Sequence, residues 1–106
     1  VHAALIALCD KLDNTLDIED DISNGIAINS KLKRGILGIL QSNALLLSAL
    51  EAHEKRFFKQ DITANALIDT YSGILKIKTR ALYSQHEGEY VEYLLPKSNF
   101  LRIIME

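Results

Sequence analysis

The sequence predicts a mainly α domain: an antiparallel helical bundle around one long central helix at about residues 30–58, followed by a short final helix. Three observations carry that prediction. Steps of three and four residues link Leu32, Ile36, Ile39, Asn43, Leu46, Leu50, His53 and Phe57, an a/d seam sustained over about four heptads. Shorter stripes of the same period stand before and after it. A length of 106 residues makes one domain, which can bury a core without disulfides or a metal.

The first helix is expected from His2 to Leu16, with Leu5, Leu8, Cys9, Leu12 and Leu16 on one stripe. Asp17 to Asn29 mixes acids, an Asn-Gly pair and isolated isoleucines, so it reads as a connection anchored by Ile18, Ile22, Ile26 and Ile28. Asn29 or Ser30 is placed to cap the central helix, since a short polar side chain can accept a bond from a free first-turn amide. Gly35 and Gly38 each cost that helix about 1 kcal/mol relative to alanine. Lying three apart beside the seam, they predict a close-packed helix crossing; the alternative is a break at Gln41 to Asn43.

Lys59-Gln60-Asp61 reads as a turn, with Asp61 or Thr63 capping a third helix whose buried stripe is Leu67, Ile68, Tyr71, Ile74 and Leu75. Two readings then compete. Helix can continue through Leu82, or the alternation of Leu75, Ile77, Thr79, Ala81 and Tyr83 with more polar residues can form a β-strand. The strand would return through Tyr90 to Leu95 as a C-terminal hairpin over about 75–95. Pro96 stops that segment, and Ser98 is expected to cap a short helix from Asn99 to Met105.

Composition narrows the function classes. The 48% hydrophobic and 25% charged content is that of a folded soluble domain and excludes disorder. The apolar opening is too short for a membrane span and has no basic leader, so neither a membrane partner nor a signal peptide is expected. A lone Cys9 makes no internal disulfide; it reads as a small buried hydrophobe in a cytoplasmic protein. Because the chain starts with Val, an excised piece of a longer protein is expected.

No chemistry-bearing motif is present: neither a nucleophile elbow, a phosphate-binding loop, a zinc-protease helix nor a paired-cysteine motif. Glu19, Asp20 and Asp21 lack the spacing of a calcium loop, and Glu51 and Glu54 lack the histidines of a helical di-metal site. No enzyme, cofactor, metal or small-molecule substrate is expected.

Two functions remain. The first is a non-catalytic protein–protein interaction or oligomerisation module. Its seam, Leu32, Ile36, Ile39, Asn43, Leu46, Leu50, His53 and Phe57, takes up a second copy or another helical protein. Asn43 fixes register there, and His53 is a hydrogen-bonded boundary residue. Coverage favours it: a first helix of about fifteen residues, roughly 22 Å, leaves part of a roughly 43 Å central helix bare.

The second rests on charge. Residues 1–30 carry one basic and six acidic groups, while residues 31–80 carry nine basic and four acidic. In a hairpin Lys76, Lys78 and Arg80 would share one face, which resembles the wing of a winged-helix domain; the resemblance implies nucleic-acid binding.

Overall fold

A computed structural model describes residues 2–25, 30–57, 62–87 and 90–106, with side chains for 3–25, 30–52, 63–87 and 90–106. Among these residues the regular elements are all helices: α1 (His2–Ser23), α2 (Ser30–Phe57), α3 (Ile62–His86) and α4 (Lys97–Met105).

The first helix runs seven residues past its expected end at Leu16. Ile18 and Ile22 prolong the stripe of Leu8, Leu12 and Thr15, so the acids between them ride on the outer side of a helix that keeps burying apolar surface. The stop comes at the Asn-Gly pair. Asn24 N donates to Asp20 O at 2.8 Å and Gly25 N to Ile22 O at 3.1 Å, with Gly25 at φ 75°, the left-handed conformation in which glycine carries no Cβ penalty.

The second helix is unbroken through Gln41 to Asn43. Charge links it to α1. Glu19, Asp20 and Asp21 sit at the end of α1, and Lys31, Lys33 and Arg34 at the start of α2, each sign wrong for its own helix dipole. The two helices pack antiparallel, with Ile18 beside Gly35 and Thr15 against Asn43, which brings the acidic end of α1 and the basic start of α2 to the same end of the pair.

Of the two readings open for residues 75–83, the helix is formed; the alternative C-terminal hairpin over about 75–95 is not, and the described residues contain no strand. Residues 62–86 are one helix, and 90–96 is an irregular strap. Helix wins because Ile68, Leu75, Thr79 and Leu82 are all buried in the core at steps of three, four and seven, whereas a strand would turn Leu75 and Thr79 to one face and Leu82 to the other. The α3 helix lies antiparallel to α2, and α4 returns along α3 with Phe100 by Tyr83 and Ile104 by Arg80. Capping of α4 also departs from expectation. The helix begins at Lys97, so Ser98 lies inside it; Pro96 is the N-cap with no side-chain cap bond, and the Glu92 carboxylate accepts from the first-turn Lys97 amide at 3.1 Å.

The core joins Leu8, Ile36, Leu40, Ala44, Leu47, Ile68, Leu75, Leu82, Tyr83, Phe100, Ile103 and Ile104. All four helices contribute to it. Cys9, expected inside, is exposed one step round α1 from Leu8.

Candidate interaction surface

The sequence seam of α2 faces inward. Ile36 and Asn43 are fully buried, and Leu32, Ile39, Leu46 and Leu50 are half-buried against the core. The side chains of His53 and Phe57 lie outside the described residues. Coverage is greater than the sequence suggested because α1 has 22 residues and α3 has 25.

Asn43 is the polar centre of that inner face. Its amide Nδ2 donates to Thr15 Oγ1 on α1 at 2.9 Å and to Thr79 Oγ1 on α3 at 3.1 Å. Each threonine hydroxyl in turn donates to the carbonyl four residues before it, Lys11 O at 2.7 Å and Leu75 O at 2.6 Å, leaving its lone pairs toward the amide. One NH2 group thereby ties three helices together at one level. The Asn43 Oδ1 is buried without a partner, a cost of about 1–3 kcal/mol. Such a layer fixes register, because a slipped helix strands its buried hydroxyl.

A second polar cluster holds the strap to α2. Gln41, buried, donates from Nε2 to Tyr90 Oη at 2.5 Å and accepts from the Leu95 amide at 3.1 Å, while the Tyr90 hydroxyl donates to Leu95 O at 3.2 Å. The Tyr90 ring stacks tilted on Phe100 at 4.8 Å and edge-on to Tyr83 at 5.8 Å. Burial raises the Tyr90 pKa above its ordinary value, opposed by the Gln41 bond, which favours the phenolate.

The three basic residues of the expected wing are drawn to different neighbours. Lys78 Nζ pairs with both Glu19 carboxylate oxygens at 3.1 and 3.2 Å. Arg80 Nε donates to Ile104 O on α4, and Lys76 lines a groove with Glu51 and Asp69. They make no common basic face, so the arrangement on which the nucleic-acid reading relied is replaced by helix-to-helix pairing. Among the described residues no three His, Cys, Asp or Glu side chains are placed to hold a metal.

Surplus apolar surface lies outside the seam. Val91, Tyr93 and Leu94 on the strap are 63%, 83% and 62% exposed, and Ile77 on α3 is 62% exposed. Residues Ser30–Ala52 of α2 are long and apolar enough to cross a membrane, yet only 33% of that window is buried. Two apolar grooves flank the outer side of the helix. One, ≈ 430 Å³, is lined by Asn14, Asp17, Ile18, Gly35, Gly38 and Ile39; the other, ≈ 480 Å³, by Arg34, Leu37, Gly38, Gln41, Val91 and Tyr93. Gly38 is common to both.

The expected close crossing at the two glycines is not made among the described residues. A Cβ at Gly38 would meet nothing within 4 Å, and one at Gly35 would meet only Ile18 Cδ1 at 3.8 Å. Sequence reasoning missed Thr15, Thr79, Gln41 and Tyr90. Thr15 and Thr79 had a readable signal, each being a lone hydroxyl on an otherwise apolar stripe, with Leu12 and Ile18 three positions from Thr15 and Leu75 four positions from Thr79. Gln41 and Tyr90, 49 residues apart, had none. No family model matches the chain, and no curated protein or solved structure matches it.

Proposed function

We propose that this chain is a non-catalytic assembly module that self-associates through apolar surface left outside its closed bundle. The observation supporting this reading is the strap: Val91, Tyr93 and Leu94 present three large apolar side chains in four residues, on a segment held in place by Gln41 and the Tyr90 aromatic cluster. An ordered segment that displays such residues carries a hydrophobic penalty in water, which association removes at about 25 cal/mol per Å² buried. Scattered single exposed apolar residues carry no such implication; a contiguous, positioned group does.

Light scattering on a sizing column tests the reading. A mass of two or more chains at tens of micromolar, falling toward one on dilution, is the expected result. A strict monomer across that range overturns it.

A further inference from the structure

We infer that the partner is a second copy, docked across α2 so that each groove beside Gly38 receives the opposite groove of the other molecule. This rests on the self-association reading and specifies its surface.

Charge supports a like partner. The groove on the α1 side has an acidic lip, Asp17, and the groove on the strap side a basic lip, Arg34. Both side chains are exposed, and neither is in an ion pair among the described residues. A two-fold axis running along α2 exchanges the two sides, placing Asp17 of each copy against the partner's Arg34. It also sets Ile18 and Ile39 opposite the partner's Val91 and Tyr93, apolar on apolar. An axis across the helix would instead bring α1 against α1, with Asp13, Asp17 and Asp20 of both copies together, which like-charge repulsion disfavours. The parallel arrangement follows.

Shape agrees with charge. Gly38 lies on the outer ridge between the grooves, and the open space over it admits the partner's backbone. The free chain gains nothing from this glycine, since an alanine methyl would fit and favour the helix. Helix on helix from Gly35 to Ala52, about 27 Å long at 1.5 Å per residue and roughly 10 Å wide, covers roughly 270 Å² per partner, short of the roughly 800 Å² of a standard interface. The two grooves supply the remainder, giving a modest dimer sensitive to dilution and salt.

Charge exchange provides the test. Sedimentation equilibrium of the full chain is expected to show R34D and D17R each weakening self-association by tenfold or more, and the double variant D17R/R34D returning to within a few-fold of the original. Asp17 and Arg34 are both exposed and in no ion pair among the described residues, so a lost fold does not account for the effect of either change; circular dichroism is expected to be unchanged. Gly38→Ile, whose Cβ meets nothing within 4 Å among the described residues and whose longer branch extends into the open grooves, is expected to abolish association while leaving the spectrum intact. Association indifferent to all of these overturns the α2 face but leaves self-assembly standing, whereas a monomeric unmutated chain overturns both.

Discussion

Gln41 and Asn43 are buried amides two residues apart on α2, and they do different work. Asn43 faces α1 and α3, whose positions are already set by Leu8, Ile36, Leu40, Leu75 and Leu82; its amide adds register to packing that exists without it. Gln41 faces the strap, which has no helix of its own between Tyr90 and Pro96. There, side-chain bonds replace the missing backbone ladder, and the strap's position depends on them. Removing the first amide therefore strains the whole bundle, while removing the second releases one region.

The sharpest way to break this distinction is Asn43→Asp. It removes the donors to both threonines and places a carboxylate in a fully buried site, at a cost of about 3 kcal/mol or more at neutral pH. Burial raises the folded pKa of the introduced carboxyl above its unfolded value of about 3.9. The unfolded chain then releases its proton first, so stability falls as pH rises through that window and the deficit is smallest in acid. Urea midpoints at pH 4 and pH 7 are expected to differ from the unsubstituted chain far more at pH 7. Equal midpoints at pH 7 would contradict a closed three-helix layer.

Gln41→Ala comes next, at about 1–2 kcal/mol for the bonds to Tyr90 and Leu95. The informative readout is regional. Hydrogen exchange at the Leu95 amide is expected to accelerate strongly, while amides of α1 and the middle of α3 keep their protection. Parallel acceleration everywhere would mean that the two amides belong to one cooperative unit.

The sequence made the helical period legible and the polarity of its partners illegible. The Leu32-to-Leu50 seam announces α2, and Asn43 within it announces a register device, because an amide in an a/d stripe has few other uses. The pattern points to another molecule as its occupant only as long as α1 ends at Leu16. Acids at Asp17 to Asp21 resemble a loop by composition, and only the persistence of Ile18 and Ile22 at helical spacing argues otherwise. Residues 75–83 were ambiguous for a related reason. Alternation of Leu75, Ile77, Thr79 and Ala81 satisfies period two, while Leu75, Thr79 and Leu82 satisfy a helix; tertiary burial of the second set decides. The grooves beside Gly38 arise from segments distant in sequence, α1 and the strap, and no local pattern reveals them.

The smallest effect separates the two amides by chemistry rather than by size. Tyr90 carries the titratable group of the Gln41 cluster, whereas the Asn43 layer contains none. Its folded pKa is raised above the ordinary value of 10.0, first by burial. The unfolded phenol therefore ionises at lower pH than the folded one, and the stabilisation is fully present below about pH 10 and lost as pH rises through the folded pKa. Tyr90→Phe keeps the contacts of the ring with Phe100 and Tyr83 but removes this titration, at a constant loss of about 1 kcal/mol for the hydroxyl's bonds to Gln41 and Leu95. Unfolding midpoints of the two chains are expected to stay apart at pH 9 and to converge as pH rises beyond 10. A constant gap would place the Tyr90 hydroxyl in water, and with it the strap's claim to a buried clasp would fall.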